Sequence, residues 1–260
     1  MLCAVVGEPF ATVAYVIGLN SATASGNPGV IVPIAALNCA IGAILGHVLF
    51  KQKLQAHKVV GILVCLASAG MIGGASFASM GPDALLGCLF AFQAAFGWGF
   101  EGCVAGFGTI LLDYRIGIAI RQMTAGLLEL VIVLPVLAIA GDGVGCMVDL
   151  ASAALTSPAL LIFAISGLFA MPAFSFWHKG NSMCGTALGM ACNGMYAFWG
   201  PLFIWLIMGV LGIGGLSADY PPLTAVQWLG AIIMIAGIFC IAVEPKSIVH
   251  ASKKGNTDEQ

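Results

Sequence analysis

Charge is what this chain has least of. Lys, Arg, Asp and Glu together make up 8% of it, against 60% hydrophobic residues, where an ordinary soluble domain carries about 25% charged residues. That scarcity excludes a water-soluble globular domain. It also excludes a nucleic-acid partner, because the nine Lys and Arg residues form no basic patch able to neutralise a run of phosphates. No H-E-x-x-H motif and no C-x-x-C pair occurs, and the four histidines have no partner at metal-ligand spacing, so neither a metal nor another cofactor is expected. The nine cysteines lie mostly within apolar runs and read as small apolar fillers.

Long apolar runs are what the chain has in abundance. About eight of them have the length needed to cross roughly 30 Å of hydrocarbon, near 2–19, 29–50, 59–76, 84–112, 116–140, 158–177, 185–212 and 225–243. The first lacks a basic leader and contains Glu8-Pro9, so it is expected to be a span and not a signal peptide. The fold class is therefore an all-α polytopic membrane protein with the lipid bilayer as its surroundings.

The cations check the span count. Lys51, Lys53 and Lys58 fall between spans two and three, Arg115 and Arg121 around the junction of four and five, Lys179 between six and seven, and Lys246, Lys253 and Lys254 after span eight. With eight crossings all of them face one compartment. The Lys/Arg excess marks the cytoplasmic side, which predicts an integral protein of the plasma (inner) membrane with both termini in the cytoplasm.

Glycine numbers 35, and several pairs stand four apart inside spans: Gly42 and Gly46, Gly70 and Gly74, Gly102 and Gly106, Gly185 and Gly189. Small residues at that spacing let helix backbones approach closely, so a tight bundle is expected. The chain also repeats itself. "KVVGILVCLASAG" (58–70) echoes "QWLGAIIMIAGIF" (227–239), matching Gly61 with Gly230 and Ser68 with Gly237. Upstream, "NSATA" (20–24) is similar to "NSMCGTA" (181–187).

On these residues the chain resembles a known family. Thr23-Ala24-Ser25, Pro33 and "LFKQKLQAHKVVGILVCLASAG" look like the end of an EamA-type repeat of the drug/metabolite transporter superfamily, and Pro201 with "AVQWLGAIIMIAGI" is similar to the end of the second repeat. The resemblance implies two inverted repeats, three helices in 1–76 and five in 77–246, followed by a polar cytoplasmic tail in 247–260. It implies alternating-access transport of a small-molecule solute. Two features depart from the family pattern: Gln52 stands where a Glu is usual, and three plus five helices stand where ten are usual. Either two helices are missing or the given start lies within a longer product; a cavity built by eight helices closes if two chains pair as a homodimer.

Ionisable and polar groups inside spans are the functional candidates. Glu8, beside a helix-kinking proline, reads either as a binding corner or as an acid at the interface. Glu101 lies in "FGWGFEGCVAGFG", with Gly97, Gly99 and Gly102 leaving room around it and Trp98 nearby; it lines a cavity or bonds a neighbouring hydroxyl or backbone carbonyl. Glu129, in "LLELVIVLP", has the driest surroundings and suits a proton-linked role. Span seven, "ACNGMYAFWGPLFIW", presents Asn193, Tyr196 and Gly200 at helical spacing, with Trp199 alongside. Asn38 and Gln93, mid-span in two and four, read equally as cavity lining or as helix-helix contacts.

Only Arg121 comes near the bilayer interior, so polyanionic cargo is not expected. Carboxylates and aromatics suit neutral, zwitterionic or cationic organic solutes, the last through cation–π contact. The function expected is thus a secondary transporter of such solutes, with proton coupling open. An intramembrane enzyme or a truncated, non-transporting membrane subunit are the alternatives. No mid-span Asp pair or metal motif favours the enzyme.

Overall fold

The structure, a computed structural model, describes residues 2–24, 31–51, 55–77, 82–136, 148–149, 152–153, 155–184, 190, 193–194, 196, 199, 202–203, 205–211 and 224–242. Among them every regular element is helical and none is a strand; within hydrocarbon a helix satisfies its own backbone hydrogen bonds. Helix α1 (Leu2–Val5) passes through a π-helical turn (Val6–Phe10) into α2 (Ala11–Ala24). Then come α3 (Ile31–Ala35), α4 (Asn38–Phe50), α5 (Ala56–Phe77), α6 (Pro82–Leu111), α7 (Tyr114–Leu128), α8 (Ala159–Cys184) and α9 (Ala225–Ala242). A second π turn, Glu129–Val133, continues α7, and a third occupies Trp205–Val210.

Among the described residues five stretches are long and apolar enough to cross a membrane: Leu2–Ala22, Leu85–Thr109, Tyr114–Val136, Leu160–Gly180 and Ala225–Ala242. Asn38–Phe50 and Ala56–Ile72 are shorter apolar helices. The chain is an all-helical membrane protein. These five stretches fall on the first, fourth, fifth, sixth and eighth spans expected from the sequence, the second and third fall on the shorter helices, and half of 185–212 with all of the tail 247–260 lies outside the described residues.

Helix α6 is the hub. It packs antiparallel to α2, with Gly18 against Gly87 and Gly97 against Ala11. It packs parallel to α4, where Gly42 meets Gly99 and Phe50 stacks on Phe107 at 4.3 Å. The core around these crossings is built largely of Ala, Cys and Ile, including Ala91, Ala95, Cys39 and Ile31, as expected where close packing replaces the hydrophobic effect. Gly70 meets no neighbour within 4 Å, so the small-residue pair that begins there is not a helix contact at that end. Asp113 caps α7, its carboxylate accepting the Arg115 amide at 2.8 Å, and turns the chain back so that α7 runs antiparallel to α6.

The tightest pair joins α5 and α9. A Cβ on Gly61 would stand 2.6 Å from the Gly237 carbonyl oxygen, and the Ser68 hydroxyl donates to the Gly230 carbonyl. Between these contacts the Cys65 thiol reaches the Met234 carbonyl at 3.8 Å. Gly61 and Gly230 are matched positions in the sequence repeat, as are Ser68 and Gly237, and Cys65 matches Met234 by the same offset. Exchanging the matched positions turns one outer contact into the other, and the order of the contacts makes the two helices antiparallel.

Candidate functional site

The site begins at Pro9. Lacking an amide hydrogen, it cannot continue an α-helical ladder, and the helix widens into the π turn, where the Ala11 amide bonds back to the Val6 carbonyl. Turns of this kind recur at functional sites. Glu8 sits in it. Gly7 precedes Glu8 because the Glu101 side chain of α6 occupies the space a Cβ would need.

Glu101 is 3% exposed and Arg121, from α7, is 6% exposed. The Arg121 guanidinium donates through Nε to Glu101 Oε1 at 2.5 Å, through Nη2 to Glu101 Oε2 at 3.2 Å, and also through Nη2 to Glu8. A third arm, Nη1, donates to Gln122 at 2.8 Å. Phe174 of α8 covers the guanidinium, its ring centroid 4.5 Å away, and the Thr12 hydroxyl donates to the second Glu8 oxygen at 3.3 Å. One cation thus lies between two carboxylates, and with all three ionised the cluster carries a net charge of about −1, since Arg stays protonated at any accessible pH. Taking such charges out of water is costly, so their mutual geometry decides whether the cluster holds. Here the fork of the guanidinium engages both acids at once.

Two cavities meet at this cluster. A chamber of about 370 Å³ is lined by Glu8, Thr12, Glu101, Arg121 and Asn193, with aromatic walls from Tyr15, Trp98, Phe174, Trp177 and Tyr196. Tyr15 and Trp98 lie 5.1 Å apart, and Trp98 meets Tyr196 edge-on at 6.3 Å. A second cavity, a vestibule of about 220 Å³, runs from Glu101 and Arg121 past His178 and Gly117 to the Asp113 turn. Glu101 and Arg121 line both.

Of the residues singled out in the sequence, Glu8, Trp98, Glu101, Asn193 and Tyr196 come together around the chamber. Asn38 is fully buried beside Cys39, whose thiol donates to its Oδ1 at 3.2 Å, and its Nδ2 has no hydrogen-bond partner among the described residues. Gln93 is half-buried on α6, and Glu129 is half-buried in the second π turn, within electrostatic range of Glu8 and Arg121. Trp199 is exposed and stacks on Phe203 at 5.8 Å. None of these four lines the chamber.

Sequence reasoning placed Arg121 at the inner end of span five and missed it as the centre of the site. The signal was its depth: Arg121 is eight residues past the Asp113 cap, about 12 Å of helix at 1.5 Å per residue, too far to be a loop residue. Thr12, Tyr15 and Phe174 carry no comparable signal. Among the described residues no group of three or more His, Cys, Asp or Glu side chains stands ready to hold a metal ion.

No family model matches the chain, and no curated protein is significantly similar to it.

Proposed function

We propose that this protein is a secondary transporter of small organic solutes, neutral, zwitterionic or cationic, working by alternating access in the manner of the EamA-type drug/metabolite transporters that its sequence resembles. The observation that carries the reading is the chamber itself: a cavity of about 370 Å³ inside a bundle of apolar helices, walled by aromatics and floored by a buried cluster of two carboxylates and one guanidinium. Its volume falls in the range of small-molecule sites, about 300–1,000 Å³. Buried charge inside a membrane helix bundle is costly and marks solute or ion pathways. The self-matched contact of α5 with α9 supports two inverted repeats, three helices in 1–76 and five in 77–246, the architecture on which alternating access is built. The single-faced Lys/Arg distribution supports a plasma-membrane protein with cytoplasmic termini. Polyanions remain excluded as cargo because Arg121 is already committed to two acids.

Reconstitution tests this. Proteoliposomes loaded with a panel of labelled amines, amino acids and neutral metabolites show uptake of at least one class, and Glu101→Gln reduces it at least tenfold while the protein still reconstitutes. Flux indistinguishable from empty liposomes across the panel contradicts the proposal.

A further inference from the structure

The cluster is both the floor of the chamber and the roof of the vestibule, since Glu101 and Arg121 face each of them. It is also unbalanced, two carboxylates to one guanidinium. A ligand carrying one positive charge brings the chamber to neutrality; one carrying a negative charge would have to compete with two acids for a single guanidinium. The walls agree, because aromatic side chains line the chamber and one of them, Phe174, already covers a cation, the contact by which a ring stabilises positive charge.

Arg121 also has somewhere to go. Helical side chains lean toward the N-terminus of their own helix, which for α7 is the direction of the Asp113 turn and the vestibule. One turn earlier on that path is Gly117, where a Cβ would meet nothing within 4 Å. The vestibule is therefore open along the line the guanidinium would take on leaving the acids.

We infer that the chamber takes an organic monocation with an apolar, aromatic-compatible body, and that this ligand exchanges with Arg121 for the carboxylates of Glu101 and Glu8, so that the arginine is a plug between the two cavities. The inference rests on the chamber being a solute site and deepens that reading. No covalent step is involved: one ion pair opens as another forms, and Arg121 moves into the vestibule still protonated.

Tetraphenylphosphonium is the probe, titrated against the purified full-length chain in detergent with intrinsic tryptophan fluorescence as readout, since Trp98 and Trp177 line the chamber. The expected results are saturable quenching in the native protein, at least tenfold tighter binding in Arg121→Gln, and at least tenfold weaker binding in Glu101→Gln. Triphenylphosphine oxide, neutral and of similar shape, competes at least tenfold more weakly. Should Arg121→Gln alone fail to fold, the Glu8→Gln/Arg121→Gln double variant keeps the cluster at about −1 with Glu101 unpaired, and it too binds more tightly than the native chain.

Binding that is unchanged or lost in both arginine variants overturns the inference, as does a neutral analogue that binds as tightly as the cation. So does an aromatic carboxylate such as diphenylacetate that binds the native chain and is lost in Arg121→Gln, which would make the guanidinium an anion site. Flux of a neutral solute with no phosphonium binding sinks this inference and leaves the transporter reading standing; phosphonium binding with no flux of any solute does the reverse.

Discussion

The α5–α9 seam and the Glu8–Arg121–Glu101 cluster both join helices within the hydrophobic body of the protein, by opposite means. The seam is dry and made of small residues: Gly61 against Gly237, Ser68 against Gly230, Cys65 against Met234. Its energy is spread over many close contacts, none of which is exchangeable with water or solute. The cluster concentrates its energy in three charged groups with a cavity on either side. On the proposed transporter reading, a seam of the first kind resists opening, whereas the cluster opens when a solute's charge satisfies its acids. On that reading the two regions do separate work: α5 and α9 hold the fold together, and α6, α7 and the π turn after α1 meet where it parts.

Substitutions that strike each region separately sharpen this contrast. The largest effect belongs to the cluster, where Arg121→Gln leaves the buried Glu101 and the half-buried Glu8 without their cation and costs about 3–5 kcal/mol, the usual penalty for breaking a buried pair from one side; the loss is read as a fall in thermal unfolding temperature in detergent. In the seam, Gly237→Val forces a side chain onto Cys65 and the Gly61 carbonyl and costs about 1–3 kcal/mol by overpacking. That variant lowers stability while leaving phosphonium affinity unchanged, the reverse of what Arg121→Gln does to affinity. Ser68→Ala removes one hydrogen bond to the Gly230 carbonyl and costs about 0.6 kcal/mol, the typical worth of an interhelical hydrogen bond in a membrane. A seam variant that altered ligand affinity would erase the division of labour.

Much of the helical layout is legible in the sequence, because hydrocarbon imposes a length and a composition on each span. Gly61, Ser68, Gly230 and Gly237 recur at one offset in the sequence, and the structure pairs Gly61 with Gly237 and Ser68 with Gly230. Glu8, Trp98, Glu101, Asn193 and Tyr196 were legible as polar or aromatic groups in apolar surroundings. What the sequence hid was their convergence. Whether Glu101 faces Arg121 or lipid depends on the rotation of α6 about its axis, and that rotation is set by Gly7 yielding space to its carboxylate and by the close approach of Gly18 to Gly87. Arg121 is legible as the one cation near the bilayer interior, but nothing in the sequence says that it turns toward Glu8 and Glu101 and not toward the inner interface. Phe174 and Tyr15 look like any other membrane aromatic, and only the packing of α8 and α2 against the hub gives them a cation and a cavity to face.

The central claim is that Arg121 and Glu101 are energetically one unit inside the bundle. A double-mutant cycle of Arg121→Gln and Glu101→Gln, read by thermal unfolding in detergent, measures this directly. The account predicts that the double variant is less destabilised than the two single variants summed, by at least about 1.5 kcal/mol, well beyond the roughly 0.5 kcal/mol within which independent sites add. Additivity within that limit would mean that the guanidinium and the carboxylate do not meet, and the site built on them would not exist.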